Sequence, residues 1–467
     1  MARSGAKGDA GFACSVLWIV GATLTACFAC RHAQAVGPAA ANNASAAAPR
    51  QIDESRMRAA GIRKLSSRRL TLFTDLPSEK SVDELPDIFD QAFPQWCDYF
   101  RIDPRQHEDW HITAYLMKDK LRFAAAGVLP DYLPAFIEGR GYTRQDECWV
   151  WEQSSPYYRR HLLLHEGTHA FMYTLLGNVG PPWYAEGIAE LMGTHRWADG
   201  RLTLNYFPKH PQEVPKLGRI EIVQTEFAAR RAVRLADILN YPPGSFRNDE
   251  PYAWSWAAAA FLDNHPRYRE RFRTLAKFVG DPDFKHRFAE TFSRDGTQLA
   301  EEWQVFASDI AYGYDFKRTE LDFRPGTALP PLGATLAVAG DRGWQNSGVR
   351  LEAGKTYQLR ATGQFQVGKD SPLDNLIPPR RQPRPWISEA GGVSIHFNHG
   401  QPLGILLAAI RPDGAAITTS PLVMPDVVGL AATVRPTHSG TLYLRTNISD
   451  GDLDNAAGLL SVAVAPR

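Results

Sequence analysis

The sequence predicts a multidomain protein in which an α+β domain with a mainly helical second lobe precedes an all-β sandwich. Three observations lead to this fold class. Strand and helix patterns alternate over 68–200, helical patterns dominate 201–317, and short apolar runs between turn residues fill 333–467. With 467 residues, the chain is also longer than one ordinary hydrophobic core requires. Proline and glycine concentrate in 318–332, which we interpret as the linker.

The overall composition argues against one class of partner. Apolar residues make up 44% of the chain and charged residues 22%, as is typical of a globular protein. The formal net charge is +1, so no strong field draws the chain to nucleic acid or to an anionic membrane. The sequence also has no basic arm interleaved with aromatic residues. We therefore expect no nucleic-acid partner.

Residues 1–35 have the pattern of an export signal. Arg3 and Lys7 precede an apolar run, and Ala-Gln-Ala at 33–35 offers a small-x-small cleavage site. Leu-Thr-Ala-Cys, ending at Cys27, also resembles a bacterial lipobox, so anchoring as a lipoprotein is an alternative form of processing. We expect an exported protein that is periplasmic, extracellular or bound at the cell surface.

The segment 36–67 is a predicted low-complexity linker, because its first part is rich in alanine, asparagine and serine. The folded part that follows contains Cys97 and Cys148. An oxidising compartment favours one disulfide between them. The alternative is two buried thiols that act as small apolar side chains.

The α+β lobe, 68–200, begins with alternating local patterns. The predicted strands are RRLTLFTD, WHITAYLM and ECWVWEQ, and the predicted helices are SVDELPDIFDQAFPQWCDYF and KDKLRFAAAG. ECWVWEQ, at 147–153, comes just before the most conspicuous motif of the chain. We predict that it is an edge strand beside a cleft, where an extended peptide could pair with its backbone. An ordinary core strand is the alternative.

The clearest chemical motif is H-E-x-x-H, formed by His165, Glu166 and His169. On a helix, positions i and i+4 share a face, so both imidazoles can reach one metal ion. Apolar residues surround the motif, and Gly177 is a suitable helix stop. Glu166 follows the first ligand directly, where a general base could reach a water in the open position of the metal.

A second predicted helix supplies two more carboxylates. The segment W-Y-A-E-G-I-A-E follows a Gly-Pro-Pro turn and contains Glu186 and Glu190. A catalytic zinc ion usually has three protein ligands and a water, and two histidines with one glutamate are a standard set. Glu186 is therefore the predicted third ligand. Glu190, one helical turn later, could accept the second N–H of a ligating histidine. Solvated carboxylates on an amphipathic helix pair are the alternative.

HEGTH and WYAEGIAE together resemble the gluzincin class of zinc peptidases, where a glutamate on a second helix completes the metal site. The resemblance implies that His165, His169 and Glu186 are zinc ligands and that Glu166 is the general base. Glu190 would be the supporting carboxylate found in thermolysin-like members. The chain from about 68 to 310 is also similar to a family of secreted bacterial proteins of unknown function that are classed as gluzincin-like peptidases.

The helical lobe contains one further candidate, Tyr252, near the start of a predicted helix. In aminopeptidase-like gluzincins a tyrosine at a comparable place polarises the scissile carbonyl, so the resemblance implies this role for Tyr252. The alternative is that Tyr252 packs between lobes, with Trp254 and Trp256. His161 and His195 flank the metal region, and we expect both to be solvated or hydrogen-bonded rather than ligands.

The sandwich, 333–467, resembles the jelly-roll domain of the bacterial calcium-dependent galactophilic lectin through GWQNSGVRLEAGKTYQLRATGQF, PLGILLAAI and SGTLYLRTNISDGDLDNAAGLLSV. In that family one loop binds Ca²⁺, and the ion holds sugar hydroxyls. The positions here that best match the calcium ligands are Asn447, Asp454 and Asn455, with Asp450 and Asp452 nearby. Asparagine stands at the first position, where aspartate is usual. A polar hairpin loop without an ion is therefore the alternative.

We thus expect a secreted zinc-dependent hydrolase, with a peptide or protein as substrate and Zn²⁺ as cofactor. The sandwich would add a glycan or cell-surface ligand and a Ca²⁺ site. A second hypothesis is a binding protein whose peptidase-like lobe has lost turnover and whose sandwich carries the function. A third is hydrolysis of a non-peptide amide, such as a cell-wall or glycan-linked bond.

Overall fold

Helices and strands alternate in the first part of the chain, and strands dominate after it, in a computed structural model of the protein. The described residues are 51–130, 133, 140–369, 384–414 and 418–467. This combination of several sheets and many helices confirms the coarse prediction of a mixed α and β protein. The predicted signal segment, including Cys27, lies outside these ranges. Within them, no helix combines the length and apolar character that crossing a bilayer requires.

The first part of the chain builds one five-stranded sheet with helices on both faces. Its elements are α1 (Glu54–Ala59), β1 (Arg63–Ser66), β2 (Leu70–Thr74), α2 (Lys80–Asp83), α3 (Leu85–Phe100), β3 (Ile112–Met117), α4 (Lys120–Ala125), β4 (Gly141–Arg144), β5 (Glu147–Trp151), α5 (Pro156–Phe171), α6 (Pro182–Gly193), β6 (Arg196–Ala198) and β7 (Arg201–Thr203). The predicted strands appear as β2, β3 and β5, and the predicted helices as α3 and α4.

The strand order β1-β2-β3-β5-β4 corrects one prediction about the cleft. β3 pairs with β5 in parallel, and β4 pairs with β5 in the antiparallel direction. The prediction that 147–153 is an edge strand is therefore wrong, because β5 has a neighbouring strand on each side. Its continuous apolar run is the pattern of a strand buried on both faces. The edge position belongs to β4, whose sequence GYTR has no strong strand signal.

Side-chain alternation along β5 divides the core between the two faces of this sheet. Cys148 and Val150 join the large hydrophobic cluster that contains residues of α3, α5, α6 and α9. Trp149 and Trp151 point to the other face, where they pack with residues of α1 and α4. Because successive strand side chains alternate, one strand supplies both cores. The two tryptophans are therefore core residues rather than parts of a substrate cleft.

The structure contradicts the predicted disulfide between Cys97 and Cys148, because both are free thiols. Cys97 is buried on α3, whereas the Cys148 Sγ atom lies 3.4 Å from Thr143 Oγ1 and 3.6 Å from the Glu166 carbonyl oxygen. Burial raises the pKa of both thiols, that of Cys97 to about 11. Each thiol serves as a small buried side chain with its own set of neighbours.

Helices form the next part of the chain and cover the large hydrophobic cluster. Their bounds are α7 (Arg219–Ala228), α8 (Leu235–Ile238), α9 (Asp249–Asn264), α10 (Arg269–Thr274), α11 (Phe284–Phe292) and α12 (Gly296–Asp309). α9 packs against α6 and α7, and α6 packs against α5. The two helices that carry the candidate metal ligands therefore lie inside the fold rather than on its surface.

The remainder of the described chain is built of strands. They are β8 (Thr327–Ala328), β9 (Ala334–Ala339), β10 (Gln345–Leu351), β11 (Tyr357–Thr362), β12 (Phe365–Lys369), β13 (Pro385–Ser388), β14 (Val393–Asn398), β15 (Gln401–Leu403), β16 (Leu406–Pro412), β17 (Asp426–Val427), β18 (Ala431–Val434), β19 (Gly440–Thr446) and β20 (Leu459–Pro466). The two main sheets have the orders β17-β16-β19-β10-β8 and β18-β11-β20-β9. They contribute to one shared hydrophobic cluster.

The outer face of the first of these sheets packs against α12. Along β16, Leu406 and Ala408 face the cluster shared with the second sheet, whereas Leu407 and Ala409 join a separate cluster with Val305 of α12. The described residues consequently belong to one compact unit. The all-β part is thus in extensive contact with the helical part. The domain boundaries predicted from the sequence stay predictions.

Candidate metal centre

The H-E-x-x-H motif lies on α5, in the helical form that its spacing requires. The Ser155 side chain caps the first turn by accepting a backbone N–H, and Pro156 occupies the first helical position. After Phe171 the helix widens into a π-helical turn over Met172–Leu176, and Gly177 ends it with a left-handed φ of 76°. Gly177 is therefore the stop that the sequence predicted.

α6 brings Glu186 close to α5 because a glycine follows it. A Cβ atom at Gly187 would lie 2.7 Å from the Ser255 carbonyl oxygen on α9. Only a residue without a side chain permits this approach of α6 to α9. The A-E-G segment therefore has two separate purposes, since its glutamate faces α5 while its glycine faces α9.

The structure brings His165, His169 and Glu186 together. The Glu186 Oε2 atom lies 3.2 Å from His165 Nε2 and 3.5 Å from His169 Nε2. One ligand atom from each residue falls within 4.8 Å of the others. Two imidazole nitrogens and one carboxylate oxygen around one point form a donor set that could bind a divalent metal ion.

The charges at this point are those of a cation site. Burial opposes ionisation of Glu186, but the His169 and His165 imidazoles outweigh it and lower the pKa of Glu186 to about 2. Burial also disfavours the charged form of His165, whereas hydrogen bonds to Glu186 and Glu190 raise its pKa to about 10. The carboxylates thus hold positive charge where a metal ion would sit.

Glu190, the predicted supporting carboxylate, lies behind the triad and is held by an arginine that sequence reasoning missed. Its Oε1 atom is 3.4 Å from His165 Nδ1, an ion-pair separation. Arg219, on α7, donates from Nε to Oε2 at 2.8 Å and from Nη2 to Oε1 at 3.0 Å. Although burial opposes it, this guanidinium holds the pKa of Glu190 well below its usual range. No local spacing links Arg219 to the motif.

His161 extends the same network without joining the metal ligands. Its Nε2 atom lies 3.4 Å from Glu190 Oε2, and burial lowers its pKa, which favours the neutral ring. His161, His165 and Glu190 also bring ligand atoms within 4.8 Å of one another. Arg219, however, occupies both carboxylate oxygens of Glu190 and would repel a second cation there. We interpret this group as support for His165.

Glu166 is buried beside the triad and is held by β4. The Thr143 hydroxyl lies 2.6 Å from Glu166 Oε2 and 3.0 Å from the Glu166 carbonyl oxygen. Burial raises the pKa of Glu166, although the neighbouring histidines and Thr143 oppose this effect. A carboxylate whose pKa is raised in this way is a better proton acceptor than a solvated one. The sequence provided no signal for Thr143, because β4 itself was not predicted.

Tyr252 lies beside the metal ligands, at the start of α9. Its ring centroid is 6.4 Å from that of His165. The guanidinium carbons of Arg140 and Arg219 lie 5.5 Å and 5.8 Å from the Tyr252 ring centroid. Burial raises the pKa of its phenol, so the hydroxyl stays protonated and can donate a hydrogen bond. Trp254, by contrast, is buried in the core, as the packing alternative expects.

His195 is hydrogen-bonded, in agreement with its prediction. Its ring stacks on Tyr157 with centroids 4.6 Å apart, and its Nδ1 atom lies 2.7 Å from the Gly193 carbonyl oxygen. Its Nε2 atom accepts from Arg160 Nε at 3.2 Å. Burial lowers the pKa of His195 to about 3, so the ring is neutral. His195 therefore packs and forms hydrogen bonds just beyond the end of α6, and it is not among the candidate metal ligands.

The loop predicted to bind calcium makes packing contacts. The Asn447 amide nitrogen donates to the carbonyl oxygens of Asn398, Gln401 and Pro402 at 2.8, 3.1 and 3.1 Å. Asp454 is exposed, and the Asn455 carbonyl accepts from a glutamine side chain. In the part of the chain described here, both candidate metal groups lie on α5 and α6 rather than on this loop. The calcium prediction for Asn447, Asp454 and Asn455 stays a prediction.

The chain matches no family model and no curated protein. One solved structure that aligns with it is the EclA N-terminal domain, a PllA-like lectin. Its identity is 20% and its TM-score 0.20, over 29% of this chain and 98% of that chain. The second is an aminopeptidase N family protein from Idiomarina loihiensis. Its identity is 11% and its TM-score 0.27, over 85% of this chain and 68% of that chain.

A third solved structure is the IMPa metallopeptidase in complex with T-antigen. Its identity is 11% and its TM-score 0.16, over 78% of this chain and 38% of that chain. All three TM-scores are low and the identities small. These likenesses therefore leave the family and the activity of the chain open, and the geometry of the metal centre has to indicate its chemistry.

Proposed function

We propose that this protein is an exported zinc-dependent hydrolase of the gluzincin type that cleaves peptide bonds. The observation that carries this proposal is the convergence of His165, His169 and Glu186 on one point with the buried Glu166 beside them. This ligand set is one that catalytic zinc sites use. A bound zinc ion supplies Lewis acidity, which lowers the pKa of water and polarises a carbonyl group.

The protein's own residues divide the remaining work. Glu166 accepts the proton of the attacking water and can return it to the leaving amine, because burial raises the pKa of its carboxyl. Tyr252 has a protonated phenol, and its ring centroid lies 6.4 Å from that of His165. From this position its hydroxyl would donate a hydrogen bond to the developing oxyanion. Glu190 and Arg219 keep His165 oriented.

The edge strand β4 is the element on which we expect an extended substrate to bind. One side of β4 pairs with β5, and among the described strands none pairs with its other side. An extended peptide that lies along this edge strand would run beside Glu166, since Thr143 of β4 contacts that carboxylate. The substrate role predicted for 147–153 therefore moves to 141–144.

Zinc content and peptide cleavage test the proposal together. The mature protein should contain about one zinc ion per chain. His165→Ala should lose the metal, because it removes one of three protein ligands. Glu166→Gln should keep the metal and lose about 10²- to 10⁴-fold in the rate of cleavage of a peptide library, the range for a general base. Cell-wall muropeptides form a parallel substrate panel for the non-peptide alternative.

Two results would contradict the proposal. Absence of zinc from the wild-type protein after loading with the metal would rule out the centre itself. Undiminished cleavage by Glu166→Gln would rule out the assigned base while leaving the metal site intact. Lys209→Ala, at an exposed position, is a control variant that should match the wild type in both measurements.

The proposal includes export and an additional role for the all-β part. The candidate signal residues lie outside the described ranges, so the N-terminus of the secreted protein has to be determined by sequencing. For the all-β part we retain a jelly-roll lectin type of domain with a glycan or cell-surface ligand. A glycan array, with and without added Ca²⁺, would test both expectations. Glycan binding that is independent of Ca²⁺ would contradict the calcium-binding role predicted for Asn447, Asp454 and Asn455.

A further inference from the structure

Two positions on β4 face the carboxylate of Glu166. Thr143 lies within hydrogen-bond distance of Oε2, at 2.6 Å. Its single hydroxyl proton goes to the carboxylate rather than to the Glu166 carbonyl oxygen, because a charged acceptor forms the stronger bond. Thr143 is half-buried and Glu166 is buried, so water competes poorly for this bond.

Gly141 faces the other oxygen of the same carboxylate. A Cβ atom at Gly141 would overlap Glu166 Oε1, and it would also approach the Glu166 Cγ and Cδ atoms at 2.6 Å. Residues 141 and 143 share one face of the strand, since side chains alternate along it. The Glu166 side chain therefore occupies a slot with the bare backbone of Gly141 at one end and the Thr143 hydroxyl at the other.

A long carboxylate side chain loses catalytic efficiency when it samples several rotamers. A pre-formed slot restricts the rotamers of the glutamate before the substrate arrives, so less side-chain entropy is lost in the reacting complex. Small misplacements of a reacting group also lower the rate steeply. The hydrogen bond from Thr143 therefore restricts the orientation of the Glu166 carboxylate, which burial alone would not do.

We propose that Thr143 is a positioning residue, whose hydroxyl orients the Glu166 carboxylate toward the reacting water. Gly141 has no side chain and so leaves the space that this carboxylate occupies. This inference rests on the proposed function, because it assigns the partner of the proposed general base. It also links two functions in one element, since the strand that would pair with a peptide is the strand that holds the base.

The test compares Thr143→Val, which keeps the shape and removes the hydroxyl, with Thr143→Ser, which keeps the hydroxyl. Thr143→Val should lower kcat about 10- to 100-fold on the best library peptide with little change in KM, as for other supporting partners of a catalytic group. Thr143→Ser should restore most of the rate. Thr291→Val is the matched control, because its half-buried hydroxyl donates to the Arg287 carbonyl oxygen on α11, a helix that carries no candidate site residue.

Crystal structures of the zinc-loaded wild type and variants supply a readout that does not depend on turnover. The Glu166 carboxylate should turn away from its slot in Thr143→Val and keep its direction in Thr143→Ser. An unmoved carboxylate in Thr143→Val, or an undiminished kcat, would overturn the inference. If the wild type cleaves no peptide, the proposed function fails, while the carboxylate direction still decides the role of Thr143. Equal zinc content in all variants excludes loss of the metal as the cause.

Discussion

At the scale of single residues, the metal centre depends on how its buried charges are paired. Glu190 is 2% exposed and faces His165 and His161 on one side and Arg219 on the other. Burial of an unpaired carboxylate would cost a large desolvation free energy, and the bidentate guanidinium of Arg219 offsets this cost for Glu190. The orientation of His165, a candidate metal ligand, therefore depends on an arginine that is not part of the donor set.

Replacing Arg219 by methionine should weaken zinc binding. Glu190 would keep its burial and lose its counter-charge, so it would take up a proton or turn toward His161. We expect the zinc dissociation constant to rise about 10- to 100-fold, as is typical for loss of a partner behind a metal ligand. Competition with a chromogenic chelator measures this change without any need for a substrate.

Two further variants sharpen this prediction. Arg219→Lys should lie between the wild type and Arg219→Met, because an ammonium keeps the charge but loses the bidentate geometry. Arg231→Met is the matched control, since the exposed Arg231, just beyond α7, forms a bidentate pair with the half-buried Glu226 of that helix. An unchanged zinc affinity in Arg219→Met would show that Glu190 orients His165 without help.

At the scale of elements, the metal centre requires α5 and α6 to be held against α3 and α9. Gly167 of α5 allows this on one side, because a Cβ atom there would lie 2.5 Å from the Phe89 ring of α3. Gly187 of α6 allows it on the other side, facing Ser255 of α9. The glycines of HEGTH and AEG are therefore explained by packing, while the adjoining glutamates are the proposed general base and the proposed third ligand.

Gly187→Ala should destabilise the protein by about 1–3 kcal/mol, the usual cost of adding a methyl group to a filled core. The new atom would meet backbone rather than a movable side chain, so α6 must shift and Glu186 with it. We expect a lower unfolding free energy in denaturant and weaker zinc binding in the same variant. Gly296→Ala, at the start of α12 in open space, should change neither quantity. Wild-type stability in Gly187→Ala would contradict this explanation of α6 packing.

At the scale of the whole molecule, the loop predicted to bind calcium joins the all-β part to the helical part. Arg445 of β19 pairs with Asp309 at the end of α12 at 2.9 Å and with Asp450 of the loop at 2.8 Å. A Cβ atom at Gly451 would overlap the Tyr312 carbonyl oxygen, so the loop lies directly on the chain after α12. A sugar at this surface would have to displace those contacts.

This contact predicts a pH dependence of stability. Burial and the nearby Asp309 carboxylate raise the pKa of Asp450 to about 7, although Arg445 opposes them, while His399 pairs with Asp309. A carboxyl whose pKa is raised by folding stabilises the protein at low pH, and the effect is lost as the pH rises through about 7. Relative to the wild type, Asp450→Asn should therefore gain unfolding free energy as the pH rises between about 4 and 7.

Denaturant unfolding across that pH range measures the difference between Asp450→Asn and the wild type. Asp454→Asn is the matched control, because it removes an exposed carboxylate from the same loop. Parallel pH profiles for the wild type and Asp450→Asn would contradict the prediction. We expect a single unfolding transition throughout, since the helical and all-β parts share a hydrophobic cluster and a buried arginine.

The amino-acid sequence by itself determined the features that depend on local spacing. His165, Glu166 and His169 follow from one helical turn, and Glu186 and Glu190 from the next helix, because i and i+4 positions share a face whatever surrounds them. Alternation and apolar runs likewise predicted β2, β3 and β5. These features need only the geometry of a helix or a strand.

Only the tertiary structure decided which distant residues complete the site. It placed β4 at the sheet edge in place of 147–153, brought Thr143 and Arg219 to the two glutamates, and kept Cys97 and Cys148 apart. It also packed the all-β part on α12. Strand order and helix packing are set by burial of the whole core, and this information is spread over the chain rather than contained in any short spacing.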